Sequence, residues 1–134
     1  MKLITKTLEQ RFKEVGEQYA NENPIVIAKF FDPVGSATWY ATEYDVETNI
    51  CYGYVTGLAY DEWGSFSITE LEALQRPLRL QMGNKILDGG SVNIERDIHF
   101  KETRFNDLFK NKRLEELQEM KDKKEQQLNQ DIEP

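Results

Sequence analysis

Leu8, Phe12, Val15 and Tyr19 recur at spacings of four, three and four, with charged residues between them. That is one apolar stripe of an amphipathic helix near the start of the chain. Thr7 with Gln10 three residues on has the form of a capping box. NENP at 21–24 ends the helix, because proline disfavours helical backbone in the residue before it.

The period then changes. IVIAKFF (25–31) is β-branched and aromatic, which is strand chemistry. DPVGS (32–36) reads as a turn, TWYATEYD (38–45) as a second strand and VETN as the next turn. ICYGYVTGLAY (50–60) reads as a long third strand, DEWG as a turn, and SFSI as the start of a short fourth strand. Ser67 with Glu70 forms another capping box and opens a short helix, TELEALQ, stopped by Pro77. QMGNKILDGGSVN (81–93) has the composition of a loop, and IERDIHF (94–100) that of a short edge strand. Phe105, Leu108 and Phe109, then Leu114, Leu117 and Met120, predict a C-terminal helix; after Lys121 only Leu128 and Ile132 are strongly apolar, so its end is expected to fray. Consecutive strands joined by short polar turns predict an α+β fold: an antiparallel meander of about four strands, the first helix packed on it, a short helix after it and a C-terminal helix. Residues 1–104 form one α+β domain in this reading, and 105–134 a helical extension.

The third strand has two unlike sides. Cys51, Gly53, Val55, Gly57 and Ala59 are small, inviting the first helix to pack closely. Tyr52, Tyr54 and Tyr60 lie on the other, facing solvent, a partner or the C-terminal helix. Hairpin register decides which side Glu43 joins. Pairing Tyr44 with Asn49 sets Glu43 beside Ile50 and Trp39 beside Tyr54, making a wall of rings with acids at its end. A loop one residue longer moves Glu43 to the small-residue side.

Charge sharpens this picture. The 134 residues carry a net charge of −7, and between Lys29 and Arg76 there is no basic residue, while Asp32, Glu43, Asp45, Glu47, Asp61, Glu62, Glu70 and Glu72 all fall there. Such a field repels a phosphate backbone and attracts a cationic surface or a metal ion. The basic runs KNKR and KDKK are interleaved with acids and read as a solvated helix. Cys51 is the sole cysteine, so no intramolecular disulfide can form, in keeping with a reducing compartment. The first residues show no signal peptide and no run is long enough for a membrane span, so a cytoplasmic protein is expected.

The segments WYATEYD, WGSFSITELEAL and IERDIHF, in that order, resemble a small bacterial domain-of-unknown-function family whose members are short proteins of plasmids, phages and integrative elements. The resemblance runs from about Leu3 to Phe100. The family's Gly-Leu-Pro before its acidic motif is replaced here by 81–93, an apparent insertion, and the helix after Phe100 is not inherited. The resemblance implies association with mobile elements, a setting for an accessory or counter-defence role, and no particular chemistry.

Several constellations compete for the chemistry. Glu43 and Asp45 with Glu95, Asp97 and His99 could assemble an oxygen-rich site for magnesium or manganese and so a metal-dependent hydrolase, with Glu43, Asp45, Asp97 and His99 as its catalytic set. The bland reading makes these the solvent face of an edge strand. Arg96 could instead pair with Glu43, a purely structural ion pair. Cys51 reads as a buried thiol rather than a nucleophile, and LDGG as a flexible loop rather than an anion cradle. No zinc-spaced cysteines, Walker sequence or Gly-x-Ser-x-Gly is present. The favoured expectation is non-catalytic protein recognition without a cofactor. Trp39, Tyr52, Tyr54 and Trp63 are its apolar contacts, and Glu43, Asp45, Asp61 and Glu62 steer a basic protein partner; imitation of a phosphate backbone by the acidic face is a further alternative. A third reading is a structural subunit that oligomerises through residues 105–128.

Overall fold

The computed structural model describes residues 1–132, with side chains for all but 111–116 and 129–132. It is an α+β fold. The elements are α1 (Lys6–Val15), β1 (Ile25–Val26), β2 (Ala28–Phe31), β3 (Thr38–Asp45), β4 (Ile50–Thr56), β5 (Glu62–Ser67), α2 (Ile68–Ala73), β6 (Gln75–Met82), β7 (Lys85–Asn93), β8 (Glu95–Arg96), β9 (Thr103–Arg104) and α3 (Phe105–Ile132). The main sheet is antiparallel, in the order β5-β4-β3-β2-β8. β2 to β5 are the expected meander, and β8 adds the short edge strand foreseen in IERDIHF.

α1 and α2 cover one face of the sheet together with Leu3 and Ile4. Phe12 of α1, Ile68 and Leu71 of α2, and Phe30, Trp39, Ala41, Cys51 and Val55 of the strands are all buried there. Gly53 is required by the neighbouring strand rather than by the helices. A Cβ on Gly53 would sit 1.8 Å from the carbonyl oxygen of Tyr40 on the neighbouring strand, so no larger residue fits at that crossing.

Four boundaries differ from the sequence reading. α1 is capped by Thr5, whose hydroxyl accepts the Leu8 N–H at 3.2 Å, not by Thr7. It stops at Gly16 (φ 73°), and Tyr19 lies beyond the helix, 81% exposed. The third strand ends at Thr56, because Gly57 takes a φ of 81° and its N–H turns to the Asp61 carboxylate. The turn therefore falls at 57–60, and Trp63 belongs to β5. Residues 81–93 are no loop: β6 and β7 form a long hairpin, a second two-stranded sheet. Gly90 (φ 84°) stands at its bulge, so the Gly-Gly pair shapes a strand. The hairpin leaves Leu80, Met82, Ile86 and Leu87 exposed.

α3 is continuous to Ile132. Leu114 and Ile132, named from the sequence, lie outside the described side chains, as do residues 133–134 outside the described chain. β9 pairs with β1, and the Phe105 N–H donates to the Pro24 carbonyl at 2.8 Å, which fixes where α3 starts. No helix among the described residues is long and apolar enough to cross a membrane.

Candidate functional site: an acidic, ring-lined end of the sheet

β3 carries a bulge at Thr42. Trp39 pairs with Val55 and Ala41 with Gly53, but Glu43 pairs with Tyr52 and Asp45 with Ile50. Neither uniform register is adopted; one residue is inserted between two registers. Facing residues share a side of a sheet, so the bulge reverses the alternation. Trp39 and Ala41 face the core, while Glu43 and Asp45 face the tyrosine side. Thr42 itself is buried, its hydroxyl donating to the Tyr52 carbonyl at 3.2 Å.

Gln18 holds the bulge in place. Its side-chain amide donates to the carbonyls of Thr42 (2.8 Å) and Ile25 (2.9 Å), and its oxygen accepts the Ile25 N–H at 2.7 Å. A buried glutamine thus completes the backbone hydrogen bonding that the extra residue interrupts. No sequence pattern marks it, because its partners are main-chain atoms distant along the chain.

On the tyrosine face, six rings meet. Tyr52 stacks on Trp63 (centroids 6.0 Å apart), Trp63 touches Phe105 (4.6 Å), and Tyr54 contacts Trp63, Phe105 and Phe109 at 5.1–5.8 Å. Tyr40 reaches Phe109 at 5.9 Å. The first turns of α3 therefore cover the outer face, which is the third of the environments expected for those tyrosines. Trp63 remains 37% exposed at the edge.

Tyr52 separates two cavities. One, of about 480 Å³, is lined by Glu17, Glu43 and Asp45 with Tyr44, Ile50 and Tyr52, and among the described residues Lys13 is its one basic member. The other, of about 250 Å³, lies between the 18–24 connection and the rings of Tyr52, Trp63 and Phe105.

The expected binding residues divide accordingly. Tyr52, Glu43 and Asp45 come together at the turn end of the β3–β4 hairpin, while Trp63 pairs with Tyr54 farther along β4 and touches Tyr52 from there. Tyr54 is in the ring cluster beneath α3. Trp39 is a correction: it is 7% exposed and part of the core, because the bulge puts it on the side opposite Glu43. Asp61 and Glu62 are a second correction. Glu62 pairs with Val55 and Asp45 with Ile50, five residues apart on β4, or roughly 17 Å, so these acids occupy the opposite end. The negative region is not continuous. Asp32 is removed from it altogether, 8% exposed with Arg76 Nε 2.9 Å away, a contact of charge without a well-aligned hydrogen bond. Among the described residues, no ion pair engages Glu43, Asp45 or Glu47.

The metal set is not assembled. Asp97 is paired with Lys29 at 3.6 Å, its other oxygen accepts the His99 N–H, and β8 is separated from Glu43 by β2. His99 is exposed. Among the described residues, no group of three or more His, Cys, Asp and Glu is close enough to hold a metal ion. Arg96 does not reach Glu43; its guanidinium donates to the carbonyls of Lys2 and Leu3 at 2.9 and 3.0 Å. Cys51 is fully buried, and burial drives its thiol pKa well upward, the reverse of what a nucleophile requires.

A family model described as a protein of unknown function, DUF2958, matches residues 3–109. The chain belongs to the DUF2958 family. No curated protein and no solved structure matches it. The DUF2958 match extends past Phe100 to Phe109, so it includes both phenylalanines that dock α3 on the sheet. The opening of the C-terminal helix is thus part of the family unit, and the resemblance seen in the motifs stopped short of it.

Proposed function

We propose that this DUF2958 protein is a non-catalytic recognition module. It takes a basic protein surface at the acidic, ring-lined end of its sheet, in the cytoplasm and without a cofactor. The observation that carries this reading is the bulge at Thr42, which turns Glu43 and Asp45 to the side of Tyr52 beside a 480 Å³ cleft that also receives Glu17. Exposed carboxylates next to aromatic area combine long-range attraction with a desolvated contact. The scattered placement of Asp97, His99 and the β3 acids, and the buried Cys51, weigh against hydrolysis. The motif resemblance to proteins of plasmids, phages and integrative elements suits an accessory role in that setting.

The test is calorimetric titration with a lysine-rich peptide. Glu43→Gln with Asp45→Asn should weaken binding about five- to tenfold, and added salt should weaken it further. Asp61→Asn with Glu62→Gln, at the other end, should leave it close to unchanged. Equal losses in the two double variants would sink the assignment.

A further inference from the structure

The smaller cavity differs from the acidic cleft in what it offers. Tyr19, Tyr52, Trp63 and Phe105 contribute to its lining, Glu22 contributes a carboxylate, and among the described residues neither lysine nor arginine lines it. Several of its amide and backbone donors are already engaged. Gln18 spends both amide hydrogens on Ile25 and Thr42. At the start of α3, the Phe105 N–H goes to Pro24 and the Asn106 N–H to the Asn23 side chain at 2.8 Å. Asp107 in the first turn further offsets the positive end of that helix. Arg104, next in sequence, turns its guanidinium to the Asn23 carbonyl. An anion entering here would meet the Glu22 carboxylate and, among the described residues, no lysine or arginine in the lining.

A cation would find the opposite. Aromatic faces carry negative potential, and an ammonium group surrounded by them is held by cation–π attraction. At about 250 Å³ the cavity is below the usual range for a drug-sized ligand or nucleotide, but suits one alkylammonium head. We infer that this pocket is an aromatic cage for a single alkylammonium group, namely a lysine side chain of the basic partner, set against the rings that line it and beside Glu22. The inference rests on the recognition reading above and names the chemical group recognised. Tyr52, shared by both cavities, puts the cage directly beside the carboxylates that would bind the flanking positive charge.

Choline and its uncharged carbon isostere, 3,3-dimethylbutan-1-ol, separate charge from shape. By calorimetry on the full chain, choline should bind at millimolar concentration and the isostere at least about tenfold more weakly. Glu22→Gln and Tyr19→Ala should each reduce choline binding severalfold without moving the melting temperature, since Tyr19 is 81% exposed and packs on nothing in the core. Trp63→Ala should abolish it. Equal binding of choline and the isostere would overturn the cage, as would saturation by inorganic phosphate, or no choline binding at tens of millimolar. If choline fails while the lysine-rich peptide still depends on Glu43 and Asp45, only the cage is lost. If the peptide fails as well, the recognition reading falls with it.

Discussion

Trp39 and Trp63 are two tryptophans on neighbouring parts of one sheet with opposite duties. Trp39 shares its side with Val55 and the core, whereas Trp63 sits with Tyr52, Tyr54 and Phe105 at the margin. Removing a buried indole leaves a cavity as well as losing its transfer energy. Trp39→Ala should therefore cost about 3–5 kcal/mol of unfolding free energy, and Trp63→Ala no more than about 1–2, given that a third of it is already in water. Urea denaturation of both variants measures the difference; a costlier Trp63→Ala would mean that the faces are assigned the wrong way round. Little of this was legible in the sequence. Alternation places Trp39, Ala41, Glu43 and Asp45 on one side, and only the extra residue at Thr42, held by Gln18, divides them. A bulge of this kind has no glycine to betray it. Cys51, by contrast, was readable from composition, because a small thiol among glycines and valine on a strand has few roles other than packing.

At the scale of elements, the span of β3 and the cap of α2 were clear from the chain. β3 runs over the eight residues anticipated, and the Ser67 hydroxyl accepts the Glu70 N–H as the box predicts. The β6–β7 hairpin was not clear, because it packs little of its surface. Its residues are selected by no core, and so show no apolar period for a reader to find. α3 falls between these cases: its helicity was evident, but its docking depends on Phe105 and Phe109 meeting the rings of Tyr40, Tyr54 and Trp63, far back along the chain. A chain ending at Leu117 keeps both phenylalanines and should melt within a few degrees of the full protein. One ending at Arg104 uncovers Tyr54 and Trp63 and should lose roughly 1–3 kcal/mol, the burial of two half-covered rings. Thermal denaturation of the pair checks this; equal midpoints would show that the ring cluster contributes no stability.

For the molecule as a whole, pH acts through groups that folding keeps neutral. Burial raises the Cys51 thiol pKa. Desolvation raises Tyr40, helped by the charge of Asp97, and desolvation likewise leads the causes for Tyr44. In each case the folded state holds its proton more tightly than the unfolded chain. Stability is then complete below the unfolded-state value and declines as pH rises above it. The fall should begin near pH 9, where a free thiol ionises, with a slope from Cys51 of up to about 1.4 kcal/mol per pH unit. Cys51→Ala should flatten that limb between about pH 9 and 10, before the tyrosines join. Denaturation midpoints that are level across that interval in the parent chain would contradict the burial argument.

The buried residues themselves are unevenly placed along the chain. Among the described residues, Leu3 through Leu71 supply every member of the core except Ile94. A ribosome working from the N-terminus would thus release nearly all the apolar interior before the hairpin limb or the final helix is made. The meander can collapse as it emerges, its strands joining neighbours already synthesised. The last helix then arrives to close a face of rings on a domain whose interior is already in place.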